Sequence, residues 1–142
     1  MVNAPVKLLL RSPLHGLASR GLVLLTVTGR RSGRSFTFPV QYARDGGTLV
    51  VVPGHPSTKT WWRNLLQPAR VRLWLRGQDV EGTAVATRDP EAVADGLATY
   101  LERFPRAAKA LGIDSAANEG RPQPGSLLRA AEHNVVVRIS LD

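Results

Sequence analysis

Short apolar segments, separated by glycine, proline and charged residues, dominate the pattern of hydrophobic positions along this chain. The segment 22–28 is apolar, β-branched and bounded by turn residues, which is typical of a buried strand. The same criteria predict further short strands at residues 35–43, 48–52, 71–76, 79–88 and 135–139. Most of these strands follow one another across tight turns, so we expect them to pair antiparallel.

Helical segments are predicted around these strands. Asp89 suits the N-cap and Pro90 the first position of a helix that runs to about residue 103. A short helix is expected at residues 60–66, and an N-terminal helical segment at residues 1–20. Residues 105–130 are expected to contain helical fragments and a loop rich in proline and glycine at residues 120–125.

The predicted fold class is therefore mainly β (α+β). About six antiparallel strands form a barrel or a strongly bent sheet with peripheral helices, and a doubly wound sheet is excluded. A length of 142 residues fits a single domain, so we expect one domain over residues 1–142.

Charge is divided unevenly along the chain. Residues 1–78 carry 12 Lys or Arg and one acid, whereas residues 79–142 carry 7 Lys or Arg and 10 acids. Such a basic half attracts polyanions, which include nucleic acid, a membrane surface and a phosphorylated cofactor. Nucleic acid is disfavoured because no helix-turn-helix, zinc or RNP signature is present. Arginine outnumbers lysine 16 to 3, which suits bidentate phosphate contacts, although a GC-rich genome would give the same bias.

Several other classes of chemistry are excluded or disfavoured. The absence of cysteine rules out disulfides and thiolate nucleophiles. His15, His55 and His133 are scattered without carboxylates at ligand spacing, so no metal site is expected. No secretory signal or membrane-spanning run is recognisable, so we expect a cytoplasmic protein. The segment 1–20 either packs on the barrel or lies against a membrane surface as an amphipathic helix.

The turn at residues 29–34 is the clearest candidate anion site. Gly29 and Gly33 permit unusual backbone angles, and amides of such a turn point into a shared concavity where arginines can clamp a phosphate. The spacing differs from a Walker loop, and a solvated hairpin with incidental charge would explain the pattern equally. Further along, Trp61 and Trp62 point about 100° apart on a helix, and Asn64 shares the face of Trp61.

Taken in order, these residues resemble a known family. The run from Leu24 to Gly33, then Pro39, the turn at residues 44–47 and the helix at residues 61–65 resemble the deazaflavin-dependent nitroreductase and quinone-reductase family. The resemblance covers residues 20–90 well and the closing strand loosely. It implies an FMN-binding split-barrel-like fold that holds coenzyme F420, with FMN as the second candidate.

The resemblance also implies roles for individual residues. Those implied to bind the coenzyme phosphate are Arg30, Arg31, Ser32 and Gly33. Arg34 would bind its anionic polyglutamate tail. Those implied to line the ring are Pro39, Pro53, Gly54 and His55, and Trp61 and Asn64 would complete the pocket. Where the nitroreductase branch has a further basic residue, this chain has Phe36, and Arg34 on the same strand face is the candidate substitute. The loop after the third strand is Pro53-Gly54-His55-Pro56-Ser57. The tyrosines that follow a Phe/Tyr-Pro step in the nitroreductase branch are also missing here.

The expected function is an F420-dependent oxidoreductase that passes a hydride from the reduced deazaflavin to a small activated acceptor, namely a quinone, an enone or a nitro compound. Water, Tyr42, His55 and Ser57 are the candidate proton donors. The alternative is a protein on the same fold that binds a flavin, haem or lipid without turnover. Both a monomer and a homodimer are compatible with the sequence.

Overall fold

A computed structural model describes residues 21–113 and 124–142 of the chain. In these ranges the chain forms seven strands, β1 to β7, two α-helices, α1 and α2, and two 3-10 helices. The strands are Leu22–Thr28, Ser35–Gln41, Ala43–Asp45, Thr48–Val51, Ala69–Leu75, Gln78–Thr87 and Val136–Leu141. The α-helices are Pro90–Arg103 and Pro124–Ala131, and the 3-10 helices are Trp61–Leu65 and Pro105–Ala107.

The seven strands form one antiparallel sheet in the order β2-β1-β5-β6-β7-β4-β3. The strands at the two ends of this order, β2 and β3, are separated in the chain by Tyr42 alone. The sheet therefore curls round until its ends meet in one bent stretch of chain. The predicted antiparallel split barrel is confirmed.

The first hydrophobic core fills the inside of the barrel. Alternate residues of neighbouring strands point inward, as in the pairs Val23 with Val40 and Leu25 with Leu73. Trp62 and Leu65 of the first 3-10 helix close one end of this core, and both side chains are buried. Packing of this kind holds the 3-10 helix against the barrel, which matters because the helix borders two cavities described below.

A second core lies between the helices and the outer face of β3, β4 and β7. Asp89 caps α1 by accepting a hydrogen bond from the amide of Ala92 at 3.1 Å, as the N-cap prediction requires. The buried face of α1 includes Val93 and Leu97, which pack with Val136 of β7 and with helix α2. This part of the sheet is therefore covered on both faces, whereas the outer face of β5 and β6 carries charged residues.

Gly96 allows the close approach of α1 to β7. A Cβ atom added at Gly96 would lie 2.6 Å from a methyl carbon of Val136, which is too close for a real contact. We expect Gly96→Ala to lower the free energy of unfolding by about 1–2 kcal/mol, because overpacking costs about 1–3 kcal/mol and the better helix propensity of alanine offsets part of it. Chemical denaturation would measure the loss, and Gly125→Ala, near the start of α2, is the matched control. Equal stabilities of the two variants would contradict the close packing.

The outer face of β5 and β6 is held by ion pairs. Arg70 binds Asp142 through two hydrogen bonds and lies 3.5 Å from Glu81, and Arg72 pairs with Asp79 at 2.8 Å. The pKa of the Asp142 carboxyl is lowered chiefly by its hydrogen bonds to Arg70. All of these groups are exposed, so each pair contributes little to stability. In residues 21–113 and 124–142, no helix is long and apolar enough to span a membrane.

Most predicted elements agree with the structure, with three local differences. The strand expected at 35–43 is interrupted at Tyr42, where the chain stops pairing with β1 and begins to pair with β4. The amide of Tyr42 donates a hydrogen bond to the carbonyl of Gly21 at this point. The structure therefore has seven strands instead of about six. The helix expected at 60–66 is the 3-10 helix Trp61–Leu65, and the hairpin turn expected at Gly77-Gln78 is at Arg76-Gly77. The segment predicted at residues 1–20 and the first four residues of the loop predicted at 120–125 lie outside the described residues, and the last two residues of that loop belong to α2.

Candidate functional site

The turn between β1 and β2, residues 29–34, is a compact loop that we call the basic turn. The Gly29 amide bonds to the carbonyl of Arg34 at 2.7 Å, and the Gly33 amide bonds to the carbonyl of Gly29 at 2.9 Å. Ser32 Oγ accepts a further bond from the Arg34 amide at 3.2 Å. Gly33 has a φ of 70°, a conformation that favours glycine. The backbone is thus organised locally, while the arginine side chains remain exposed.

Asn64 connects the basic turn to the first 3-10 helix. Its side-chain oxygen accepts a hydrogen bond from the Arg30 amide at 3.0 Å, and its nitrogen donates to the Trp61 carbonyl at 3.1 Å. The oxygen and the nitrogen of the Asn64 side chain therefore both have partners. Asn64 holds the basic turn against the helix, although Arg30 and Asn64 are 34 residues apart in sequence. Asn64 acts as a structural link in addition to lining the neighbouring cavity.

A cavity of about 300 Å³ lies where the basic turn meets the 3-10 helix, and we call it the cationic cavity. Its lining residues are Gly29, Arg30, Arg31, Ser32, Phe36, Thr60, Arg63 and Asn64. It contains three arginines and no acidic residue. Backbone amides, hydroxyls and guanidinium groups of this kind suit a phosphate or a similar compact anion.

A larger cleft of about 570 Å³ borders the same 3-10 helix at Trp61, and we call it the apolar cleft. Its lining residues are Phe38, Pro39, Val40, Gln41, Val51, Val52, Pro53, Gly54, Lys59, Trp61 and Tyr100. The Phe38 and Trp61 rings are in contact, with centroids 4.9 Å apart, so they form one aromatic wall. Apolar and aromatic surface with a few polar groups is typical of a site for a planar organic molecule.

The loop between β4 and the 3-10 helix positions Lys59 at the cleft. The His55 carbonyl accepts hydrogen bonds from the amides of Thr58 and Lys59 at 3.0 and 2.8 Å, which closes the loop on itself. His55 has a φ of 49°, which is uncommon for a residue other than glycine, and its side chain is exposed. Lys59 adds a positive charge to an otherwise uncharged lining.

Tyr100 and Gln41 form a polar group at the apolar cleft. The Tyr100 hydroxyl donates to Gln41 Oε1 at 3.4 Å, which is longer than the usual 2.5–3.0 Å, and its ring contacts Phe104 with centroids 4.9 Å apart. Burial raises the pKa of the Tyr100 hydroxyl above its ordinary value, so the group keeps its proton at neutral pH. Among the residues lining the cleft, Tyr100 is the one that offers an O–H donor.

The structure gathers most of the residues predicted for the site into these two cavities. Arg30, Arg31, Ser32 and Asn64 line the cationic cavity, and Pro39, Pro53, Gly54 and Trp61 line the apolar cleft. Gly33 and Arg34 complete the basic turn but line neither cavity. His55 and Ser57 are exposed on the loop outside the cleft, and Tyr42 is buried in the barrel core.

The polar and charged cavity residues that sequence reasoning did not single out are Gln41, Lys59, Thr60, Arg63 and Tyr100. Arg63 belongs to the Trp61–Leu65 segment and could have been found from its charge. Tyr100 lies on the buried face of α1, where the amphipathic pattern indicates only a core position.

Comparison with known proteins assigns the chain to a family. The family model described as F420H(2)-dependent quinone reductase matches residues 13–104, well over half of the chain. The chain belongs to the F420H(2)-dependent quinone reductase family. It is therefore an oxidoreductase whose cofactor is the deazaflavin coenzyme F420. The family predicted from the sequence is confirmed.

Solved structures with the same fold support this assignment at the level of architecture. An F420-H2-dependent reductase, FDR-A, is 19% identical with a TM-score of 0.55, over 87% of this chain and 95% of that chain. A FAD and haem binding protein from Mycobacterium smegmatis is 16% identical with a TM-score of 0.53, over 93% and 66%. A general stress FMN/FAD binding protein from the phytopathogen Xanthomonas citri is 17% identical with a TM-score of 0.50, over 96% and 85%. At these identities the likeness concerns the fold alone.

The chemistry of the two cavities fits the cofactor of this F420H(2)-dependent reductase. A deazaflavin coenzyme joins a flat tricyclic ring to a phosphate and an acidic tail. The apolar cleft has an aromatic wall suited to such a ring. The cationic cavity, which borders the same 3-10 helix, has the hydrogen-bond donors that a phosphate requires.

Proposed function

We propose that this reductase transfers a hydride from the reduced deazaflavin coenzyme to a quinone or another small carbonyl-activated acceptor. In this proposal Arg30, Arg31 and Ser32 bind the phosphate in the cationic cavity. The cleft residues Pro39, Pro53, Gly54 and Trp61 contact the ring. The observation that carries the proposal is the adjacency of an apolar cleft and a cationic cavity across one short helix.

The chain's own residues bind and orient the reactants and exclude water. Trp61 and Phe38 form a wall that keeps a flat ring in one plane, and Asn64 keeps the basic turn at a fixed distance from that wall. Lys59 provides positive charge at the cleft, which favours electron-rich carbonyl or ring oxygens. No protein nucleophile takes part, which is consistent with the absence of cysteine.

The acceptor carbonyl is proposed to bind at Tyr100. The long hydrogen bond from its hydroxyl to Gln41 costs little to exchange, so the hydroxyl can donate to a carbonyl oxygen instead. The bound coenzyme supplies the hydride, which reduces the quinone by two electrons. The proton that completes the hydroquinone comes from water, and the Tyr100 hydroxyl stabilises the negative charge that develops on the carbonyl oxygen.

The test of this function is an acceptor comparison with the pure protein and the reduced coenzyme. We expect oxidation of the reduced deazaflavin to accelerate with a benzoquinone or naphthoquinone, and to be slower with a nitroimidazole. Reduced FMN is the matched control for cofactor choice. Tight coenzyme binding with no acceptor-dependent oxidation would contradict the proposal and favour a binder without turnover.

Tyr100→Phe provides a sharper test of acceptor binding. We expect the KM for the quinone to rise about three- to tenfold, the range of a neutral hydrogen bond, with the coenzyme affinity unchanged. Burial raises the pKa of the Tyr100 hydroxyl above its ordinary value, so the hydroxyl keeps its proton and the wild-type KM should stay low from neutral pH into the alkaline range where an ordinary tyrosine begins to ionise. Steady-state kinetics between neutral and alkaline pH would measure this. A parallel loss of coenzyme affinity would show that Tyr100 shapes the ring site instead.

A further inference from the structure

Four arginines at or next to the cationic cavity have no acidic partner within residues 21–113 and 124–142. Arg30, Arg31 and Arg63 line the cavity, and Arg88 follows β6 beside the 3-10 helix. The ion pairs in the described residues involve other arginines, and the acids nearest in sequence to Arg88 do not pair with it. Clustered cations without counter-charges attract a ligand with more than one negative charge.

Arg63 and Arg88 are both held against the ring of Trp62. Their guanidinium carbons lie 5.5 and 4.7 Å from the ring centroid, within the range of a cation–π contact. Trp62 itself is 3% exposed, and its indole N–H donates to the Pro56 carbonyl at 3.0 Å, so the platform is fixed. Arginines held in this way lose less side-chain freedom when they bind an anion than free surface arginines do.

We propose that Arg63 and Arg88 form a second anion subsite that adjoins the cationic cavity and binds the carboxylates of the coenzyme's acidic tail. This rests on the proposed function, because it takes the phosphate to occupy the cationic cavity. Arg63 lines that cavity, and Arg88 extends the positive charge beyond it. Both guanidinium groups contact the ring of Trp62, so the distance between them cannot exceed the sum of their distances to the ring centroid. Successive carboxylates of one coenzyme tail can therefore reach both arginines.

This assignment differs from the tail contact that the family resemblance implies for Arg34. The side chain of Arg34 does not line the cationic cavity, and its amide and carbonyl both take part in the hydrogen bonds of the basic turn. Arg88 was not singled out by the resemblance and is recognised only through its contact with Trp62.

The experiment is a calorimetric titration with two oxidised deazaflavins, one ending at the phosphate group and one carrying several glutamates. We expect the wild-type protein to bind the long-tailed form more tightly at low salt. Arg88→Gln should weaken binding of that form about three- to fivefold, the upper range for exposed ion pairs, and leave the tail-less form unchanged. Arg88→Lys should retain most of the preference. Arg44→Gln, an equal charge change outside both cavities, should retain all of it.

Three results would overturn the proposal. Equal wild-type affinity for the two forms would remove the tail subsite while leaving the phosphate site intact. Loss of the preference in Arg34→Gln but not in Arg88→Gln would place the tail over the basic turn. An equal loss for both forms in Arg88→Gln would mean that Arg88 acts by holding Trp62. Failure of the wild-type protein to bind either form is a separate result, because it would contradict the proposed function itself.

Discussion

Replacing Arg31 with glutamate is expected to weaken binding of the oxidised deazaflavin coenzyme by at least tenfold and up to several hundredfold. Arg31 is an exposed side chain that lines the cationic cavity together with Arg30 and Arg63. Loss of one charged hydrogen bond to a phosphate costs about 1.5–3 kcal/mol, and the introduced carboxylate repels the same phosphate. Quenching of tryptophan fluorescence measures the affinity, because Trp61 lines the adjoining cleft. The salt dependence of binding should also become shallower.

The matched control is Arg44→Glu, which changes the net charge equally at an exposed position of β3 outside both cavities. A similar loss in both variants would show that coenzyme affinity depends on the overall positive charge of the chain instead of a contact at the basic turn. Unchanged affinity in Arg31→Glu would remove Arg31 from the site. Neither substitution is expected to affect stability, because neither side chain takes part in an ion pair within the described ranges.

The fold was predictable where local signals and burial agree. The strand Leu22–Thr28 has a continuous apolar pattern, and helix α1 begins where Asp89 and Pro90 predict it. The bend at Tyr42 was not predictable, because residues 41–43 carry no turn signal and the break is imposed by the curling of the sheet. That closure is a long-range constraint, which requires one stretch of chain to pair first with β1 and then with β4.

The candidate site was predictable to a different degree in each cavity. The basic turn is local in sequence, so its glycines and arginines could be recognised together. The hydrogen bond between Arg30 and Asn64 spans 34 residues and was not predicted, although the family resemblance placed both residues at the coenzyme site. Tyr100 reaches the apolar cleft because α1 packs over the barrel, which no local pattern indicates. His55 was expected at the ring, yet its loop has a positive φ at that residue and its side chain is exposed outside the cleft.

The first 3-10 helix is the element that organises both cavities. Within five residues it contributes Trp61 to the apolar cleft and Arg63 and Asn64 to the cationic cavity, while Trp62 and Leu65 anchor it in the barrel core. Cavity-lining and core side chains are interspersed along it because neighbouring helical positions point in different directions. A coenzyme bound in both cavities would therefore contact one rigid unit.

Trp61→Ala tests the apolar cleft independently of charge. We expect the coenzyme affinity to fall by about 2–3 kcal/mol, within the 1–3 kcal/mol range of aromatic stacking on a flat heterocycle, because the wall formed with Phe38 is lost. The salt dependence of binding should remain that of the wild-type protein, because no charge is removed. Calorimetry is the suitable measurement, since the substitution also removes a fluorescent reporter.

Trp61→Phe is the conservative variant for this cleft. It retains a flat aromatic surface against Phe38, so we expect it to recover most of the affinity that Trp61→Ala loses. The backbone carbonyl of Trp61 still accepts the hydrogen bond from Asn64 in both variants, so the basic turn keeps its attachment. A shallower salt dependence in Trp61→Ala would therefore mean that the side chain supports the cationic cavity. Support of the cationic cavity is the competing role for Trp61, because its helix borders both cavities. The contrast with Arg31→Glu separates a contact with the ring from a contact with the phosphate.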